Sequence, residues 1–233
     1  KDRPSIETLI MQSNKIDNLL IKIKRDLDLG FQAYWICPLV EQSEKIDLSN
    51  SVDRFDYLKQ ALINVNVGLI HGKMSPEEKE NELAKFNDGI TEVLVSTTVI
   101  EVGIDNPNAV SIVIECANRF GLSQLHQLRG RVGRGKEKSY CFLIYDLPLS
   151  ESAIERLKIM KDTNDGFQIA EKDLYLRGSG DFFGTMQSGD EIFRLANLKE
   201  NKSLHEQAIS LFIELESKDK IDSEEFYQLK HFL

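Results

Sequence analysis

The stretch Gln127-Leu-Arg-Gly-Arg-Val-Gly-Arg-Gly135 places three arginines among three glycines, with Lys136 and Lys138 close behind. The chain around it is acidic, with a formal net charge of −9 over 233 residues. Arginine carries a planar fork of donors that matches phosphate oxygens two at a time and keeps its charge at any working pH. Glycines beside it allow a backbone or a ligand to come close. These residue types suit an anion rich in oxygen, with phosphate foremost. A solvated basic turn is the alternative that any charge run carries. Asp105, which closes the segment "STTVIEVGID", could stand beside the arginines. A carboxylate next to guanidiniums fits a ligand bearing both hydroxyls and phosphates, that is, a nucleotide; a structural ion-pair cluster is the competing reading.

Positioning such groups requires a scaffold, and the order of elements supplies one. The runs 33–40, 67–71, 92–96, 111–116 and 140–146 are rich in Val, Ile and aromatics. Near-continuous apolar runs of this length suit strands buried on both faces of a parallel sheet. Helical patterns lie between them. One starts at Ser75, with Pro76 in the first helical position and Glu78 placed to close a capping box, and ends near Gly89. Another covers 14–28, with Ile16, Leu19, Leu20 and Ile23 on one stripe and Gly30 as its stop. The predicted fold is α/β with a mostly parallel sheet. In such a sheet ligands sit outside the carboxyl ends of the strands. The loop after the strand at 92–96 and a helix carrying Arg129, Arg131 and Arg134 after the strand at 111–116 are expected to meet there. Beyond Asp146 the pattern turns helical: 150–163 and 167–177 read as a hairpin, "RGSGDFFGTMQSG" as a glycine-rich loop, and 203–217 and 222–231 as closing helices.

Composition narrows the classes. No apolar run reaches the roughly 18 to 20 residues of a membrane span, and the amino end lacks the apolar core of a signal peptide. Cys37, Cys116 and Cys141 are odd in number and widely spaced. They fit buried free thiols in a reducing cytoplasm rather than a zinc site or a disulfide framework. His71 and His126 have no metal-ligand spacing and read as structural residues.

"VSTTVIEVGIDNP" (95–107) and "QLHQLRGRVGRG" (124–135) resemble the fifth and sixth motifs of superfamily 2 helicases, and "HGKMSPEEKENELAKF" lies at the matching distance upstream. This resemblance covers most of residues 30–146 and implies the second RecA-like lobe of a motor. "ICPLVEQSEKID" (36–47), "DLYLRGSGDFFGTMQSG" (173–189) and the closing helices further resemble the RecG family of bacterial branch-migrating DNA helicases. The expected division is a RecA-like lobe over 1–147, a helical hairpin and coupling loop over 148–189, and a helical extension over 190–233.

The resemblance assigns roles. Arg134 would be the arginine finger on ATP and Arg131 its companion. Asp105 would accept from the ribose, Gly103 would permit close approach, and Gln127 would link sites by hydrogen bonds. Arg129, alternating with the other two arginines, would face solvent or DNA. Thr97, Thr98 and Gly72 would meet nucleic-acid phosphates without reading sequence; a helix cap and a turn glycine are their ordinary alternatives. Arg156, Arg177 and Gln187 match the family's translocation-coupling positions. An arginine there could clamp the two hairpin helices to each other or to the loop through carbonyls and carboxylates; the alternative makes Phe182 and Phe183 a hydrophobic plug and the arginines surface ion pairs. A phosphate-binding loop and a magnesium-binding acidic motif do not occur in the sequence. ATP and Mg2+ would therefore be held mainly by an upstream lobe, with a wedge domain also upstream, and branched double-stranded DNA (forks and Holliday junctions) would be the partner. The chain alone is expected to bind ATP poorly and not to hydrolyse it. A transcription-repair translocase and a helicase-like binding module without motor function are the competing readings.

Overall fold

A computed structural model describes residues 5–38, 44–97 and 106–177, apart from the side chains of 44–50 and 177. Six strands form one sheet: β1 (Ile6–Gln12), β2 (Gln32–Cys37), β3 (Val67–Ile70), β4 (Val93–Thr97), β5 (Ala109–Ile114) and β6 (Ser139–Tyr145). Their order is β1-β6-β5-β2-β4-β3, and each neighbouring pair is parallel. The helices are α1 (Ile16–Asp28), α2 (Glu44–Ala61), α3 (Pro76–Asn87), α4 (Leu122–Arg129), α5 (Glu151–Asp162) and α6 (Gly166–Arg177). The α/β class with a parallel sheet is as the apolar runs imply.

Central strands β2, β4 and β5 are buried along their whole length, which is why their sequences are apolar without alternation. Two elements are not apparent from the sequence. β1 reads "IETLIMQ", with polar residues breaking the run, and it can afford them because it lies at the sheet edge. α2 reads "EKIDLSNSVDRFDYLKQA", in which scattered Ser, Asn and Asp blur the helical stripe.

Side chains of β2 alternate between two layers. Ala33, Trp35 and Cys37 join Ile16, Leu19 and Ile23 of α1 and Leu58 of α2 in one core. Tyr34 faces the other way and meets Phe86 of α3, with ring centroids 4.8 Å apart. α3 has the anticipated capping box: Ser75 N donates to Glu78 Oε2 (2.7 Å), and Glu78 N donates to Ser75 Oγ (3.2 Å). Gly30 (φ +84) and Gly89 (φ +76) take the left-handed conformation that ends α1 and follows α3.

The chain forms two compact units, 1–173 and 174–233. Because all strands of the first run the same way, its sheet has a carboxyl edge and an amino edge. With about 3.3 Å per residue, a five-residue strand such as β4 separates the two by roughly 15 Å.

Candidate functional site

The arginines lie elsewhere than topology alone suggests. α4 ends at Arg129, so Arg131 and Arg134 are in the turn beyond it and not on the helix. α4 starts after the carboxyl end of β5 and runs back, and the arginine turn leads into the amino end of β6. Gly133 takes the left-handed conformation (φ +76) between the two half-buried arginines, and Arg134 Nε donates to the Gly130 carbonyl at 3.3 Å. A Cβ on Gly135 would stand 2.5 Å from the carbonyl oxygen of Pro107. Only glycine fits there, and it sets the arginine turn against the residues that lead into β5. The arginine turn is thus at the amino edge, a correction to the expected carboxyl edge. The cause is the direction of α4, which carries the chain from the carboxyl end of β5 back to the edge where β6, parallel to β5, must begin. Asp105, Gly103 and Thr98 lie outside the described residues, as does Gln187.

Next to Asp105 in sequence, Asn106 is held rigidly. Its Nδ2 donates to Gln32 Oε1 (3.0 Å) and more weakly to the Phe86 carbonyl (3.4 Å), and its Oδ1 accepts from Asn108 N (2.9 Å). Gln32 Nε2 donates to the carbonyls of Phe86 (2.6 Å) and Thr91 (2.7 Å). Both amides are buried, so these bonds settle polar groups that would otherwise be costly. Sequence reading missed this pair because its members stand 74 residues apart and neither belongs to a spaced motif.

The carboxyl edge holds the other candidates. Thr97 ends β4 beside Cys37 of β2. It is 1% exposed, and its Oγ1 has no hydrogen-bond partner among the described residues. His71, one residue beyond β3, has a buried Nδ1 that likewise finds no partner among the described residues, and burial followed by the Lys79 charge lowers its pKa. Gly72 is exposed, its φ is ordinary, and a Cβ there would meet nothing within 4 Å among the described residues. The backbone therefore does not demand glycine at 72, and its open surroundings leave room for an external chain. The sequence candidates thus divide into two groups on opposite edges, with segment 98–105 joining them in the chain.

Arg129 corrects a second expectation. It is 2% exposed and faces neither solvent nor DNA. Its Nη1 donates to the carbonyls of Met160 (2.7 Å) and Thr163 (2.9 Å) and to Thr8 Oγ1 (3.3 Å), while Nη2 meets His126 Nδ1 at 3.1 Å. Arginine only donates, so His126 Nδ1 accepts and the proton of the neutral ring sits on Nε2. Burial, and then the Arg129 charge, lower the His126 pKa. Arg156 of α5 clamps through carbonyls, but toward α4 and not across the hairpin: Nη1 donates to Phe120 O (2.7 Å) and Nη2 to Asn118 O (3.1 Å), both in the stretch before α4. Gln127 is exposed on α4. Arg177 ends α6.

A further cluster marks the carboxyl ends of β2 and β5. Glu115 accepts from Trp35 Nε1 and pairs with Arg54 of α2 (Nη2 to Oε2, 3.0 Å), so a core indole and a helix are fixed to one carboxylate. Cys37 and Cys141 are buried free thiols; Cys116 is only half-buried, a departure from the expected burial of all three. Among the described residues, no His, Cys, Asp or Glu cluster could hold a metal ion, and no helix is long and apolar enough to cross a membrane.

An arginine turn braced against the exit of the β4–β5 connection, on a parallel α/β sheet, defines a RecA-like helicase lobe. Residues 16–136 match the helicase conserved C-terminal domain, and the chain belongs to that family. Within it the chain is of the RecG type: residues 163–227 match the C-terminal part of domain 3 of the ATP-dependent DNA helicase RecG. The RecG of Bacillus subtilis (strain 168) is 49% identical over 197 residues, 84% of this chain and 29% of the relative. A RecG structure bound to a three-way DNA junction superposes with a TM-score of 0.68 at 39% identity, over 87% of this chain and 26% of that one. Domain 2 of the DEAD-box helicase Mss116p, bound to an RNA duplex, shares the fold, with a TM-score of 0.53 at 16% identity over 74% of this chain and 69% of that one. The chain spans about a third of the length of the curated relatives it matches.

Proposed function

We propose that the chain is the second motor lobe of an ATP-dependent DNA helicase that unwinds and branch-migrates stalled replication forks and Holliday junctions in the bacterial cytoplasm. The observation that carries the reading is the contact of Gly135 with Pro107. It braces two half-buried arginines beside the residues that follow Asp105, so that one nucleotide could meet both. Phosphoryl transfer spreads negative charge over the moving oxygens, and a guanidinium already fixed in place stabilises that charge without reorganising. Arg134 serves as the finger and Arg131 as its companion. Asp105 takes the ribose, with Gly103 and Gln127 assisting. A first lobe, joined to this one, supplies the phosphate loop and most of the Mg2+ ligation, and a wedge domain splits the junction.

Thr98 and Gly72 take phosphates of the DNA backbone, and Thr97, buried at the end of β4, backs them and does not meet DNA itself. Branched DNA as the partner is supported by the three-way junction held by the RecG relative. The lobe proper occupies 1–147, the hairpin and coupling loop 148–189, and the helical extension 190–233. Arg156, Arg177 and Gln187 relay lobe movement to translocation. The match of 163–227 to a RecG domain favours this over a transcription-repair translocase.

The test compares wild type, Arg134→Ala and Gln187→Ala in the longer protein on a synthetic fork, following hydrolysis and unwinding together. Arg134→Ala should lower hydrolysis by about 10³-fold or more. Gln187→Ala should leave hydrolysis while abolishing unwinding. The chain alone should not hydrolyse ATP. Retention of hydrolysis within tenfold in Arg134→Ala removes the finger, and with it the motor reading of this turn.

A further inference from the structure

The two edges of the sheet are connected by a second route besides segment 98–105. At the carboxyl edge, Lys79 of α3 donates from Nζ to the Gly72 carbonyl at 3.2 Å, and the Ser75 capping box fixes the same first turn. α3 then runs 12 residues, about 18 Å at 1.5 Å per residue, to the amino edge. There the Phe86 carbonyl is taken by Gln32 Nε2 and Asn106 Nδ2. Asn106 is followed by Pro107, whose carbonyl lies against Gly135, one residue beyond Arg134. Every joint is a hydrogen bond or a close packing contact, and the two amides at the centre are buried.

We propose that Asn106 and Gln32 are positioning residues that transmit the state of the Gly72 turn, through α3, to the arginine turn. The roles of the two edges, DNA phosphates at one and nucleotide at the other, rest on the function proposed above; the mechanical linkage does not. A helix is stiff along its axis, so displacement of its first turn by a bound strand shifts its last carbonyls. The amide pair converts that shift into movement of Pro107, and Gly135 has no slack to absorb it.

Asn106→Asp keeps the volume and the acceptor for Asn108 N, but turns the donor facing Gln32 Oε1 and Phe86 O into a repelling oxygen. Gln32→Leu removes the same joint from the other side and serves if Asn106→Asp does not fold. Ser111→Ala, which deletes a buried bond to Asp26 elsewhere in the core, controls for general destabilisation. Hydrogen exchange of the chain itself gives the first readout. The amides of Met74 (bonded to His71 O) and of Arg131 and Val132 (bonded to Leu128 O and Arg129 O) report the two turns. Breaking the joint should speed exchange about tenfold at both turns, and Ser111→Ala should not. Acceleration confined to Asn108, Thr91 and the end of α3 overturns the linkage.

The second readout is the stimulation of ATP hydrolysis by DNA in the longer protein. It should fall about tenfold in Asn106→Asp, with the KM for ATP within twofold of wild type, an effect in the usual range of coupling between sites. If exchange changes at both turns while stimulation is untouched, the linkage stands and the assigned roles of the two edges fail. If neither changes, the amide pair is only structural and the proposal is wrong.

Discussion

Arg129 Nη1 lies 2.7 Å from the carbonyl oxygen of Met160, so the last residue of α4 is tied to the last turn of α5 in the buried interior. The bond joins the helix that leads into the arginine turn to the first helix of the hairpin. Arg156 reinforces the tie from the opposite side, reaching from α5 to the residues before α4. Two arginines therefore bracket the junction between the sheet and the hairpin.

Truncating Arg129 would leave the buried Met160 carbonyl, the part-buried Thr163 carbonyl and the Thr8 hydroxyl without this donor. Each unsatisfied buried group costs about 1–3 kcal/mol. Arg129→Ala should lose roughly 3 kcal/mol, which in a unit of this size lowers Tm by about 6–12 °C. Arg129→Lys should recover part of it, since one ammonium cannot reach the spread of acceptors that a guanidinium fork does. Thermal unfolding followed by circular dichroism checks both; Tm within 2 °C of wild type for Arg129→Ala would contradict the clamp.

Two glycines should respond oppositely to alanine. At Gly135 a Cβ meets the Pro107 carbonyl at 2.5 Å, so the turn or the segment must give way. Gly135→Ala should cost about 1–3 kcal/mol, as overpacking commonly does. At Gly72 the space is open and φ is ordinary, and alanine should change stability by less than about 0.5 kcal/mol. If Gly72 meets a DNA phosphate, Gly72→Ala should weaken DNA binding at unchanged Tm. Paired Tm and fluorescence-anisotropy measurements separate the two effects.

Acid should loosen the α4–α5 junction. His126 accepts from Arg129 only when its Nδ1 is unprotonated, and its pKa is lowered by burial and by that neighbouring charge. The unfolded chain then binds the proton more readily, so the contribution is complete above the ordinary value of about 6.5 and fades as pH falls from there toward the folded value. His71 is lowered in the same direction. Between pH 7.5 and 5.5 wild type should lose Tm, and His126→Asn, which offers a non-titrating acceptor, should lose less. Identical pH slopes for the two proteins would exclude His126 as a source.

Cys116 should resist alkylation. Burial, then a hydrogen bond to Asp146, push its thiol up to about 11, so at pH 8 only about a thousandth is thiolate, the reactive form. Asp146→Asn should speed labelling modestly, because burial, the larger cause, remains. Rapid labelling of wild type, read by mass spectrometry, would contradict this environment.

Much of this architecture was legible from one dimension. The apolar runs named five of the six strands, since a strand covered on both faces must be apolar throughout. The Ser75–Glu78 box and the stop glycines are local devices whose physics needs no partner. The arginine turn, too, is a matter of residue type and spacing, and it was enough to propose a phosphate-binding role. β1 and α2 were hidden because each draws its stability from tertiary packing: an edge strand may carry polar residues, and α2 is held by Leu58 and by Arg54 on Glu115.

Tertiary structure alone decided which partners distant polar groups would find. Arg129 looks like its two neighbours in sequence, yet it is buried because α5 returns to cover it with bare carbonyls. Gln32 and Asn106 are unremarkable singly, and they become a joint only when a parallel crossover brings residues 74 apart to one edge. The next crossover, β5–α4–β6, set the arginine turn at the amino edge, opposite Thr97 at the carboxyl end of β4. Residue chemistry is written in the chain; which buried donor meets which acceptor is fixed only when the sheet closes and each polar group taken from water must be satisfied.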